Sequence, residues 1–193
     1  MMSIRDASRS DFSAILELNE KSVAETSPLD MEALTALAGQ STYFKVHTQN
    51  DAVNGFMIAL REDATYENAN LRWFCDRYSH FIYIDRIVVD RDRRGGGIGV
   101  GFYLDVERHA KESGIEVLAC EVNVEPANEP SLKFHRNRGF VEVGTQSLLL
   151  QGKVVAMLAR QLPGSPSHAS TEAAVQPGVA DGPGPRLRSE PGR

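Results

Sequence analysis

Along residues 1–162 the apolar positions switch between a period of two and a period near 3.6, so strands and helices alternate. Residues 3–6 read as a short strand. Phe12, Ile15, Leu16, Asn19 and Val23 recur at helical spacing, and Ser8 or Ser10 can cap a helix over residues 11–24. Ser27, Pro28 and Asp30 place a cap, a first-turn proline and an acid ahead of MEALTALA, a second helix. TYFKVHT and GFMIALRE flank the turn QNDAVN, which predicts a hairpin.

The middle of the chain changes character. FIYIDRIVV, residues 81–89, is an almost continuous β-branched and aromatic run, as expected for a strand buried on both faces. A helix over 97–113 follows, closed by Gly114, with Ile98, Phe102, Leu104, Val106 and Ala110 available for packing. IEVLACEVNV, residues 115–124, is a second buried strand, and a short helix over 131–138 ends at Gly139. Two closing strands lie either side of Gln151 and Gly152. Strand, helix, strand in the centre requires a parallel pair with a crossover helix, within an α/β fold. No internal repeat is visible.

Composition separates a body from a tail. Residues 163–193 carry Pro163, Pro166, Pro177, Pro183, Pro185 and Pro191 and almost no large apolar residue, so a disordered tail is expected after a single domain over 1–162. At 41% hydrophobic and 24% charged, the chain has the composition of a soluble globular protein. A formal net charge of −5 disfavours non-specific nucleic-acid binding. Cys75 and Cys120 form no CxxC or paired spacing, so neither a disulfide framework nor a metal site is expected. No signal peptide and no apolar run long enough for a membrane span are seen, which predicts a cytoplasmic protein without a membrane partner.

Chemistry enters at VVDRDRRGGGIGVGF, residues 88–102, where a buried strand passes through arginine and glycine directly into a helix. The start of a helix carries unpaired N–H groups and the positive end of its dipole, which attract phosphate. Glycines let that backbone approach a pyrophosphate, and a neighbouring arginine can fork onto it. A Walker A loop is excluded because no lysine follows the glycines, and the dinucleotide fingerprint fails at Val100 or Phe102. A tight turn without a ligand is the plainer alternative.

In this turn the chain resembles the GNAT superfamily of acyl-CoA-dependent N-acetyltransferases, whose Arg/Gln-x-x-Gly-x-Gly/Ala signature is met by Arg94, Gly95, Gly96, Gly97, Ile98 and Gly99. A second signature, Asn-x-x-Ala/Ser, an aromatic pair and Gly-Phe, is met by Asn128, Ser131, Phe134, His135, Gly139 and Phe140. The resemblance implies a mixed, mostly antiparallel sheet flanked by helices, with one parallel pair of strands splayed apart. It also implies acetyl-CoA as cosubstrate. The Arg94–Gly99 turn would then bind pyrophosphate, the main chain of Ile87, Val88 and Val89 would take the pantetheine arm, and Asn128 and Ser131 would stand beside it. Asn128 read as a plain helix cap is an equal alternative. At position 135 most members have a tyrosine that donates a proton to the departing thiolate. Imidazole can do the same, or be structural.

An amine acceptor must lose a proton, and a carboxylate suits that work. Asp85, set in an apolar strand, is the leading base, unless it pairs with Arg86; Glu121 on the partner strand is second. Alternation puts Glu121 and Asn123 on one face and Cys120 and Val122 on the other. The long insertion over 62–80 holds Tyr66, Glu67, Trp73, Asp76 and Tyr78, residues fit to wall a site for a cationic amine. A small helix packed on the sheet is the alternative. The overall pattern resembles a bacterial branch that includes kasugamycin-type aminoglycoside 2'-N-acetyltransferases, which would make the product an inactivated antibiotic. A metabolite amine, an amino acid, a protein N-terminus or a lysine would be other acceptors. A non-catalytic acyl-CoA-binding regulator would need the turn but not the carboxylates. The closing strands leave an edge for a second subunit, so a homodimer is expected.

Overall fold

A computed structural model describes residues 2–163, so the expected tail lies outside the described residues from position 164 onward. Seven strands form one sheet in the order β1-β2-β3-β4-β5-β7-β6. β1 (Met2–Asp6), β2 (Tyr43–Gln49), β3 (Ala52–Arg61) and β4 (Phe81–Val89) pair antiparallel in succession. β5 (Val117–Glu125) pairs parallel with β4 on one side and antiparallel with β7 (Lys153–Gln161) on the other; β6 (Val141–Leu148) is the edge. The β2–β3 turn takes Asn50 and Asp51 through φ of 50° and 62°, the left-handed region that Asn and Asp tolerate.

Helices cover both faces. α1 (Phe12–Glu20), α2 (Met31–Gln40) and α3 (Ala69–Cys75) share one core with the sheet, centred on Ile15, Leu34, Leu37, Leu71 and Phe74. α4 (Ile98–Glu112) and α5 (Glu129–Asn137) share the other through Phe102, Tyr103, Val106 and Leu132. Gly55 lets β3 lie close to β4 and under α4, because a Cβ there would stand 2.8 Å from the Val88 carbonyl oxygen and 3.4 and 3.5 Å from Phe102 and Ile98.

Three expectations are corrected. α1 ends at Glu20 rather than near Ala24, since the buried Asn19 amide donates to the Ser27 carbonyl at 2.9 Å and draws the chain back. The cap of α2 is Asp30, which accepts the Ala33 N–H, so Ser27 is free for other work. Leu104 is 58% exposed; the inward stripe of α4 is Phe102, Tyr103, Val106 and Ala110.

Candidate active site

The parallel pairing of β4 and β5 stops at the rung Ile84–Cys120. Beyond it, Arg86–Val89 pair only with β3, and Glu121–Asn123 pair only with β7. The inner edges of both strands are thereby released from each other, and an opening forms between them. Two connected spaces occupy this region. A groove of about 450 Å3 runs along Ile87, Val88 and Val89 to the Arg94–Gly99 turn and is closed by Ser131, Phe134 and His135. A cavity of about 260 Å3 reaches Asp85 and Glu121 from residues 25–27, 66–70 and Lys153. Ile87, Asn128, Ser131, His135, Glu25 and Thr26 border both, so the two spaces meet there.

The turn before α4 has the conformation a phosphate cradle needs. Gly95 and Gly97 both have φ of 82°, and no atom stands within 4 Å of where their Cβ would be. The first intrahelical bond of α4 is donated by Gly101 to Gly97, so the N–H groups of Ile98, Gly99 and Val100 are left to an outside acceptor. Arg94 donates through Nε to the Val89 carbonyl at 3.2 Å, which lays its guanidinium along the groove.

The chain from 5 to 140 matches the model of the acetyltransferase (GNAT) family. The chain belongs to the GNAT acetyltransferase family. No curated protein sequence matches it significantly. Among solved structures, Ard1 from Thermoplasma volcanium is similar at a TM-score of 0.70 and 17% identity, over 83% of this chain and 97% of that one. The ribosomal-protein-S18-alanine N-acetyltransferase of Escherichia coli aligns at 0.66 and 15% identity, over 88% and 99%. The putative acetyltransferase yncA from Salmonella typhimurium, with its cofactor acetyl-CoA, aligns at 0.65 and 18% identity, over 90% and 99%. Among the described residues, the seven-stranded mixed sheet with its one parallel pair is the fold the sequence motifs implied. Acetyl-CoA is the GNAT cosubstrate, and the groove with its glycine cradle fits that molecule's extended phosphate-bearing form. No helix among the described residues is long and apolar enough to cross a membrane.

Within this GNAT site the two candidate bases differ. Asp85 has a side chain only 1% exposed, held by Arg86 Nε at 2.7 Å and by the Asn68 amide at 3.1 Å. Arg86 continues inward to Asn19 at 3.0 Å and to the Ser27 hydroxyl at 3.2 Å. Glu121 accepts from the Tyr83 hydroxyl at 2.7 Å and is also held by the Asn70 side chain, and among the described residues no cation pairs with it. Desolvation pushes its carboxyl up to about 7, opposed by the Tyr83 bond and reinforced by the charge of Asp85.

His135 is buried and its ring is engaged on both sides. Nδ1 lies 2.7 Å from the Ser131 carbonyl and Nε2 lies 2.5 Å from the Tyr103 hydroxyl. Burial lowers its pKa below the ordinary imidazole value. Asn128 caps α5 by accepting the Ser131 N–H, while its side chain also borders both spaces. Gly96 belongs to the cradle without lining the groove; its N–H is turned back toward the Arg93 carbonyl.

The insertion over 62–80 divides. Tyr66 and Glu67 line the cavity. Trp73, Asp76 and Tyr78 do not, which corrects their expected place in the substrate wall, because α3 and the loop after it pack on the sheet. Trp73 lies on the backbone of β6, where a Cβ on Gly144 would stand 2.5 Å from its ring. Tyr78 packs on Phe74 and Phe81, and Asp76 is exposed at the end of α3. The residues missed from sequence include Glu25, Thr26, Ser27, Asn68, Asn70, Tyr103 and Lys153. Of these, Tyr103 alone had a usable signal, its spacing of three and seven from Val106 and Ala110.

Proposed function

We propose that this GNAT enzyme acetylates the primary amine of a small cationic acceptor, best an aminosugar of the aminoglycoside kind, and that Glu121 is the base. Acetyl-CoA, when bound, supplies the acetyl group as an activated thioester. The Arg94–Gly99 turn holds its pyrophosphate, and the free inner edge at Ile87, Val88 and Val89 orients the arm that ends at the junction of groove and cavity. Asn128 and Ser131 line that junction.

The observation that carries this reading is Glu121: a carboxyl at the cavity wall, unpaired by any cation among the described residues and pushed up to about 7. Such a group is ionised often enough near neutral pH to accept a proton and basic enough to take one from an amine. Glu67 at the mouth favours the entry of an ammonium ion, while Glu25 at the junction shares its charge with Arg91 at 3.6 Å. Glu25 Oε2 is buried without a hydrogen-bond partner, ready for a donor on the acceptor. Asp85, spent on Arg86 and Asn68, is assigned to holding the cavity wall.

One observation favours a second acceptor, a protein N-terminus. Leu149 and Leu150, 87% and 104% exposed, stand beside Leu148 and Gln151 of the cavity wall, where a polypeptide could rest. The discriminating experiment follows thiol release from acetyl-CoA with kasugamycin, other aminoglycosides, polyamines, amino acids and peptides. Fast turnover on an aminosugar is the expected result. Turnover on peptides alone overturns the acceptor and keeps the rest. Thermal stabilisation by acetyl-CoA with no turnover, unchanged in Glu121→Gln, is the result expected of a regulator.

A further inference from the structure

The start of α3 brings two amides to the two carboxylates of the opening. Asn68 caps the helix through its side-chain oxygen and donates through Nδ2 to Asp85 of β4 at 3.1 Å. Asn70, only 6% exposed, holds Glu121 of β5. The helix thus bridges the two strands immediately beyond their last shared rung, Ile84–Cys120.

The register of the closing strands explains how α3 is seated there. Glu121, Met157 and Gly144 form one row across β5, β7 and β6, and Asn123, Val155 and Gln146 form the next row on the same face. The Trp73 ring lies on Gly144, where a Cβ would stand 2.5 Å from it, so the glycine admits the indole. Asn70 is three residues before Trp73, on the same side of α3, and it meets both rows. From the second row Gln146 donates through Nε2 to Asn70 Oδ1 at 2.8 Å.

A side-chain amide has one accepting end and one donating end. With Oδ1 taken by Gln146, the end left for Glu121 is Nδ2, a donor. From β4 the Tyr83 hydroxyl donates to Glu121 Oε2 at 2.7 Å. Glu121 therefore faces donors from two directions, an arrangement that favours the ionised carboxylate. The other titratable groups around it are Asp85, already paired with Arg86, the buried Cys120 thiol, and the phenols of Tyr66 and Tyr103. Lys153, which shares the cavity wall, is held by the carbonyls of Ala24 and Thr26.

Resting on the assignment of Glu121 as the base, we propose that Asn70 is its positioning residue and that Gln146 sets the Asn70 amide with its donor toward the carboxylate. α3, which supplies no reacting group, then serves the reaction by holding the base ionised and aimed into the cavity.

Glu121 is read directly by carbon-13 NMR of the full chain labelled at the glutamate side-chain carboxyl, its resonance being the one that disappears in Glu121→Gln. In the native chain it is expected to titrate at about 7. Gln146→Met removes the donor and frees the amide to turn; Asn70→Ala removes the amide. Each is expected to raise the midpoint by about 1 to 2 pH units, the worth of one hydrogen bond to a charged group. Gln146→Lys keeps a donor opposite Oδ1 and is expected to leave the midpoint at or below the native one. Gln146 is half-buried on the edge strand, so its two variants decide the matter if Asn70→Ala folds poorly. A midpoint unmoved in Gln146→Met overturns the positioning role and leaves Glu121 as the base. Native-level thiol release from acetyl-CoA by Glu121→Gln, with kasugamycin or whichever amine of the panel the native enzyme acetylates, overturns the base itself, which separates the two failures.

Discussion

Asp85 and Glu121 follow the last shared rung of two parallel strands, one on each side of the opening, and they are carboxylates of opposite kinds. Asp85 is saturated: a buried guanidinium and an amide take its oxygens, and Arg86 in turn ties β4 to Asn19 and Ser27. Glu121 is spare, with a phenol and an amide for company and, among the described residues, no cation. A neighbour that neutralises a charge also removes its capacity to act on a substrate. On the reading proposed above, the carboxylate already paired with a cation is the framework and the one without a cation is the reagent.

The sharpest way to break that comparison is Glu121→Gln. It is expected to lower kcat by about 10²- to 10⁴-fold with coenzyme binding unchanged, the range for loss of a general base. A loss below about threefold in steady-state kinetics would move the base elsewhere. Next is Asp85→Asn, which strands the Arg86 guanidinium in the interior. It is expected to cost about 3–5 kcal/mol in denaturant unfolding. Full stability with lost turnover would reverse the roles assigned to the two acids.

A pH series sharpens the contrast further. kcat/KM is expected to rise with pH through about 7 in the native enzyme, and that limb should vanish in Glu121→Gln. Stability runs the other way. Glu121 titrates near 7 when folded against an ordinary 4.5, so the folded chain holds a proton the unfolded chain has lost; the stability contributed by the neutral carboxyl is present below 4.5 and fades as pH rises toward 7. Asp11 has the opposite sign: Arg5 at 2.7 Å holds its carboxyl far below the ordinary value, so its contribution is present near neutrality and lost as pH falls. Urea unfolding of the native chain and Glu121→Gln across this range tests the first claim.

The smallest expected effect is at Lys153→Met. Lys153 Nζ donates to the carbonyls of Ala24 and Thr26 at 3.3 and 2.9 Å, and Asn123 donates to the first of these as well. Loss of this tie should raise the acceptor KM by about two- to tenfold, the worth of one or two modest hydrogen bonds. Coenzyme affinity should stay within error.

What the sequence made legible is unevenly spread. The Arg94–Gly99 turn and the Asn128–Phe140 segment were readable because their conformation is local: glycines at φ of 82° and a cap three residues ahead of its donor. The cavity-facing position of Glu121 was readable through strand alternation. The saturation of Asp85 was only half readable, because Arg86 adjoins it while Asn68 comes from a segment seventeen residues away. Trp73 and Tyr78 were misplaced since aromatic composition does not reveal which face of α3, or of the loop after it, meets the sheet. Tyr103 was passed over in favour of Leu104, one position along the same helix, where a rotation of a single residue separates core from solvent.

The match to the GNAT family ends at residue 140, yet Lys153, from the strand beyond it, ties down the segment that borders the acceptor cavity. The solved relatives cover 83%, 88% and 90% of this chain at 17%, 15% and 18% identity, so the fold extends past the family match while most side chains differ. Exchanging residues 141–161 for those of a distant relative would test whether this hairpin sets the acceptor.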